Sequence, residues 1–219
     1  MPVEPFHYAY FHGFASSPDS RKGNRLAREF ARLGVPLERP DLNAPSFARL
    51  TATAMLGAAD AMHAAGDPGA RWRVVGSSMG GWLAALWASL HPGRVDRLVL
   101  LCPAFDMPGR WPAIVGPGGW ERWREAGETP LPDHRGVPVP VHFALNDDLA
   151  RWPSVPETGC DTLVIHGSRD ETVPVESSRA YAAARPRVRL IEVDDGHLLA
   201  DSLDLVVRES LAFFGLPLA

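Results

Sequence analysis

Trp72-Arg-Val-Val-Gly76-Ser-Ser-Met-Gly80-Gly-Trp82-Leu-Ala-Ala-Leu-Trp-Ala-Ser-Leu90 runs from a brief apolar strand through a glycine-rich turn into an apolar helix. Within it Gly76-Ser77-Ser78-Met79-Gly80 fits G-x-S-x-G, in the strand-to-helix setting that gives this pattern its meaning. So sharp a reversal strains the central residue and lifts its hydroxyl above the sheet edge, and side chains at the flanking glycines would clash. Ser78 holds the central position; Ser77, the rival hydroxyl, does not. The following helix aims its first N–H groups and its positive dipole end at the same spot, where developing negative charge would need them. Taken alone the turn would equally suit a mere helix cap, so the rest of the chain has to decide.

Outward from this turn, strands and helices alternate. His7 to Phe11 reads as a strand that enters the loop His12-Gly-Phe-Ala-Ser-Ser-Pro18, and Ser20 opens a helix through Leu26, Phe30 and Leu33, stopped by Gly34 and Pro36. Val35 to Arg39 can supply a second strand. Ser46 opens a helix through Leu50, Met55 and Ala59 that ends near Gly66 and Pro68. Downstream come strands at Val95 to Cys102, Thr162 to His166 and Val188 to Val193, with helices at Val175 to Ala184 and Ser202 to Phe214. Val95 to Cys102 and Thr162 to His166 are continuous apolar runs, as in strands buried on both faces. The expectation is one α/β domain over 1–219, an open, mostly parallel sheet with helices on both faces. A Pro/Gly/Trp-rich insertion at about 104–160 should form a small cap, since long connections in compact domains usually serve function.

Composition narrows the classes. The 219 residues carry 22 Lys and Arg against 26 Asp and Glu, a formal charge of -4, which offers no footprint for nucleic acid. Met1-Pro-Val-Glu-Pro5 lacks the basic and apolar regions of a secretion signal, and no apolar run reaches the roughly 18 to 20 residues that span a bilayer. The expectation is a cytoplasmic protein without stable membrane insertion. Cys102 and Cys160 match no metal or redox spacing and read as reduced packing residues. No metal or other cofactor is expected.

A serine hydroxyl is a poor nucleophile unless an imidazole takes its proton, and that imidazole needs a carboxylate to hold its tautomer and stabilise its cation. In chain order Ser, then acid, then His, the candidates are Asp170 in His166-Gly-Ser-Arg-Asp170-Glu-Thr-Val-Pro174 and His197 in Asp195-Gly-His197. Both follow strands, on the sheet edge where open α/β sites gather. Asp106 is the fallback acid, while Asp194 and Asp195 read as loop-shaping. For a tetrahedral oxyanion the donors would be the N–H of Met79 and that of Phe14, whose neighbour Gly13 lets the backbone come close. His12 reads as orienting that loop rather than as the base.

With these elements in place the chain resembles the α/β-hydrolase superfamily, and within it the small bacterial esterases of the YqiA-like group. The resemblance rests on His12-Gly-Phe-Ala-Ser-Ser-Pro-Asp-Ser-Arg-Lys22, Pro40-Asp-Leu-Asn-Ala-Pro-Ser46, Val75-Gly-Ser-Ser-Met-Gly-Gly81 and the Asp170 and His197 loops. It implies a cofactor-free carboxylesterase acting on small esters, with Ser78, Asp170 and His197 as its triad. Leu163-Val-Ile-His-Gly-Ser-Arg-Asp-Glu-Thr-Val-Pro174 is closer to general esterases and lipases, and the Trp-rich insertion is longer than a minimal esterase needs. The expected partner is thus a small ester, with His12, Gly13, Trp111, Trp120 and Trp123 as candidate substrate contacts. The same triad would also serve a thioesterase, an amidase, a carbon–carbon hydrolase or a lipase, and a silent binding protein on this scaffold is the alternative of another class.

Overall fold

A computed structural model describes residues 6–67 and 69–218; Met1 to Pro5 and the helix stop expected at Pro68 lie outside the described residues. In chain order the elements are β1 (Phe6–Phe11), α1 (Arg21–Arg32), α2 (Ala52–Ala64), β2 (Arg71–Ser77), α3 (Met79–Leu90) and β3 (Val95–Leu101). There follow α4 (Met107–Val115), α5 (Gly119–Ala126), β4 (Glu128–Pro132), β5 (Pro138–His142) and α6 (Ala144–Leu149), then β6 (Asp161–Gly167), α7 (Val175–Ala183), β7 (Val188–Val193) and α8 (Leu203–Phe214). Strands pair in the order β1-β2-β3-β6-β7, all in parallel.

The period of two along each strand sorts its side chains between two cores. Val74, Leu98, Leu100 and Val164 face the side covered by α2 and α3, while Val75, Val99, Leu101, Leu163 and Ile165 meet Leu26 and Phe30 of α1 and Val206, Leu211 and Phe214 of α8. Each such Leu or Ile contributes roughly 1.5–3 kcal/mol by leaving water. This is the expected sheet with helices on both faces. Cys102 and Cys160 are buried and unlinked, and among the described residues no helix is long and apolar enough to cross a membrane.

Two expected elements differ. Val35 to Arg39 forms an isolated parallel bridge, Ala9 to Glu38, in which Tyr10 N–H donates to Glu38 O and Glu38 N–H to Tyr8 O, both at 2.8 Å. Pro36 and Pro40 flank it and supply no N–H, so the pairing cannot extend. Even so, the bridge lies on the free edge of β1, opposite β2. The chain order therefore reverses between β1 and β2, and a crevice opens at their C-terminal ends. The second helix begins at Ala52 rather than after Ser46: Leu50 is extended, and Thr51 caps the helix by accepting from Ala54 N–H at 3.1 Å. Only a three-residue 3-10 turn, Phe47–Arg49, follows Ser46.

The insertion is regular where its composition suggested loop. Gly116 ends α4 and Gly127 ends α5, both at φ 77°. In the antiparallel pair β4-β5 the prolines point outward while Thr129, Leu131, Val139 and Val141 point inward. A two-stranded ribbon has free edges, which is where proline is tolerated.

Leu100 is fully buried at the centre of the sheet. Leu100→Ala should destabilise the fold by about 2–5 kcal/mol, measured as a lower urea midpoint with unchanged slope; a loss below about 1 kcal/mol would contradict the packing described.

Candidate active site

β2 delivers Ser78 into φ 55°, ψ -121°, a conformation that is costly for a residue with a Cβ. Several bonds hold it there. Ser78 N–H donates to Leu101 O at 2.8 Å, and Ser78 O accepts from Gly81, Trp82 and Ala104 N–H at 2.9, 3.1 and 3.0 Å. A Cβ on Gly76 would lie 2.5 Å from Gly80 O, and one on Gly80 would fall onto the carbonyl oxygens of Phe11 and His12. Both flanking glycines are thus required by close backbone approach.

The Ser78 hydroxyl oxygen is 3.0 Å from His197 Nε2, and His197 Nδ1 is 2.7 Å from Asp170 Oδ2. Asp170 Oδ1 accepts the N–H groups of Thr172 and Val173 at 2.9 and 2.8 Å. Burial alone would raise the Asp170 pKa, but hydrogen bonds from His166, His197 and Val173 N–H outweigh it and hold the carboxyl far below the usual range. The His197 loop is tied by Asp195, whose carboxylate accepts from the Gly196, Asp201 and Ser202 N–H groups. The two loops touch directly: a Cβ on Gly167 would strike the Asp195 and Gly196 carbonyls. Asp194 pairs with Arg169 at 2.7 Å on the surface. The fallback acid Asp106 is exposed at the start of α4, and the His197 ring is bonded to Asp170 instead.

Gly13 closes the opposite wall, with room for a Cβ only 3.1 Å from Ser78 Cβ. The N–H groups of Phe14 and Met79 have no acceptor among the described residues. His12 is buried; its Nε2 accepts from Leu42 N–H at 3.0 Å and its Nδ1 lies 2.9 Å from Gly13 O, so it braces the loop. Burial lowers its pKa. Ser78 and His197 open into a cavity of about 220 Å³ lined by the Gly13 loop, the His197 loop and the first turn of α1. Gly13 and Phe14 line it; His12, Trp111, Trp120 and Trp123 do not. Trp111 and Trp123 are buried edge to face on each other at 5.1 Å, Trp120 packs at a steep tilt against Phe143, and Trp123 Nε1–H donates to Val141 O. These tryptophans join the insertion to the core, and Trp111 reaches the site only through its edge contact with Phe14.

Tyr10, Ser20, Lys22, Leu198 and Leu199 also line the cavity, although their sequence setting spoke only of strand, cap and loop. Burial pushes the Tyr10 hydroxyl up to about 12, and it shares a hydrogen bond with Ser20 at 3.1 Å. Behind Asp170, potential ligand atoms of Cys102, His166 and Asp170 lie within 4.8 Å of one another. They are already engaged, since His166 Nδ1 meets Ser178 Oγ at 2.7 Å, its Nε2 meets Val173 O at 2.9 Å, and burial raises the Cys102 thiol to about 12.

Residues 7–214 match the family described as Uncharacterised protein family (UPF0227). The chain belongs to the UPF0227 family. No curated protein sequence matches it. Among solved structures it is similar to Est1E from Butyrivibrio proteoclasticus with ferulic acid bound, at TM-score 0.82 and 20% identity over 97% of this chain and 89% of that one. Mouse alpha/beta hydrolase domain-containing protein 10 gives 0.75 and 20% over 95% and 89%. The esterase domain of a Rhodothermus marinus protein gives 0.67 and 19% over 98% and 88%. These likenesses establish for this UPF0227 member the α/β-hydrolase fold that its motifs led us to expect.

Gly80→Ala should be among the most disruptive single changes, because backbone carbonyls cannot give way; a melting temperature within a degree or two of the parent would contradict the contact described. A carboxylate with a depressed folded pKa contributes stability that is present above its unfolded value and lost as pH falls toward the folded one. The stability gap between the parent and Asp170→Asn should therefore be full near neutrality and narrow below about pH 4. Denaturant titrations at both ends of that window would show it, and a constant gap would refute it.

Proposed function

We propose that this protein is a serine hydrolase that cleaves carboxylic esters of small or medium acyl groups. The unbroken hydrogen-bond chain from Ser78 through His197 to Asp170 carries this reading. Ser78 Oγ attacks the carbonyl carbon while its proton passes to His197 Nε2, and Asp170 holds the ring by Nδ1–H and stabilises the imidazolium. The N–H groups of Phe14 and Met79 receive the oxyanion. The carbon–oxygen bond to the alcohol then breaks, the alcohol leaves with the proton from Nε2, and an acyl-enzyme remains on Ser78. Water, deprotonated by the same nitrogen, adds to the acyl carbon and releases the acid.

Several observations support an ester of modest size. The cavity of about 220 Å³ is small beside the 300 Å³ or more of drug-sized sites. One of the structural neighbours described above is named an esterase domain, and another, Est1E, has ferulic acid bound. The insertion at 104–160, joined to the core through its tryptophans, acts in this reading as a cap that shapes the acyl side through Phe14 within a single domain.

Hydrolysis of p-nitrophenyl esters from acetate to decanoate tests the reading. Ser78→Ala should lose about a millionfold in kcat, and Asp170→Asn about ten-thousandfold. A parent protein that neither turns over an ester nor reacts with a fluorophosphonate at Ser78 would overturn the proposal.

A further inference from the structure

Lys22 is the only lysine in the chain; the other 21 of its 22 basic residues are arginines. This one lysine lines the cavity that holds Ser78 and His197. A chain that uses arginine at every other cationic position, yet places a compact ammonium here, points to a site needing a point charge rather than a planar fork. The ammonium is not spent on an ion pair. Among the described residues its only hydrogen bond is to Leu198 O at 3.2 Å, and no carboxylate lies within ion-pair distance. Asp170 and Asp195 belong to its electrostatic surroundings but are turned to other partners, Asp170 to His197 and Asp195 to backbone N–H groups. Burial lowers the Lys22 pKa, which Cys102 and those carboxylates oppose.

The remaining walls say what would complete it. Lys22 is the second residue of α1, whose first turn holds no acidic side chain and whose positive dipole end adds to the same field. Arg21 and the hydroxyl of Ser20 line the cavity beside it. Phe14, Ala15, Leu199 and Leu203 give the same cavity its apolar lining. A cavity that holds a cation, an apolar lining and a serine hydroxyl together suits a short methylene chain with an anion at its tip.

We propose that Lys22 is a specificity-determining residue that binds a carboxylate at the far end of the acyl chain, making short dicarboxylic monoesters the preferred substrate class. This rests on the serine-hydrolase reading for turnover, but the anion site can be measured without turnover. The arrangement resembles a charged pocket floor: the carboxylate docks on Lys22, and the methylenes between set the distance at which the ester carbonyl meets Ser78.

Two measurements test it. In the first, kcat/KM for mono-p-nitrophenyl glutarate is divided by that for p-nitrophenyl pentanoate, which has the same chain without the charge, with Ser78→Ala as the background. The parent should favour the glutarate ester, and Lys22→Met should lower the ratio by at least about tenfold, chiefly through KM. In the second, calorimetry on Ser78→Ala should detect binding of glutarate, weakened at least about tenfold when Lys22→Met is added. If the parent hydrolyses pentanoate, shows no preference for the charged ester, and its Ser78→Ala form binds no glutarate, the inference is overturned and the hydrolase reading stands. If glutarate binds in a Lys22-dependent way but neither ester is turned over, the anion site stands and the hydrolase reading falls. Equal losses on both esters with glutarate binding unchanged would reduce Lys22 to a clamp on the Leu198 loop and also overturn the inference.

Discussion

Ser78 is held in a backbone conformation that a residue with a Cβ adopts only under compulsion, and the compulsion is distributed over the whole sheet. Its carbonyl takes three N–H groups, its own N–H reaches the end of β3, and the glycines on either side allow β1, β2 and α3 to converge on one point. No single one of these contacts would hold the strain of about 1–3 kcal/mol that such a conformation costs. Together they do so because two continuous cores lock the strands below them. The exposed hydroxyl is thus a product of packing that lies mostly elsewhere.

What was legible in the sequence follows from how local its cause is. The turn at Gly76 to Gly80, the strands at Val95 and Thr162 and the loops bearing Asp170 and His197 each announce themselves within a few residues, because glycine, apolar runs and chain order act over short distances. The strand expected at Val35 to Arg39 shrank to one bridge because two prolines forbid a ladder that the apolar pattern alone would permit. The second helix starts at Thr51 because its hydroxyl finds Ala54 N–H, a contest with Ser46 that only the geometry resolves. The insertion hid its hairpin because prolines ordinarily argue against strands, and here they occupy the outward positions of a free ribbon.

The site was legible in its reactive atoms and much less so in its walls. Ser78, His197 and Asp170 come together at hydrogen-bonding distance, as their order implied. The tryptophans chosen for their size instead fill the junction between insertion and core, since large aromatic rings bury themselves wherever space exists. The cavity is lined by the loop after β1, the start of α1 and the segment after His197, whose convergence depends on a sheet order that no local pattern encodes. A count of basic residue types would have singled out Lys22 before any coordinates existed.

The contact of Gly167 with the carbonyls of Asp195 and Gly196 bears on how such a site can change over time. The end of β6 and the loop after β7 interlock there without side chains between them, so neither can be lengthened or exchanged while the other stays as it is. The proposed acid and base are thus tied to one another by the backbone. In the proposed reading, variation in substrate would fall to the long excursion before β6, which meets Phe14 of the cavity through Trp111.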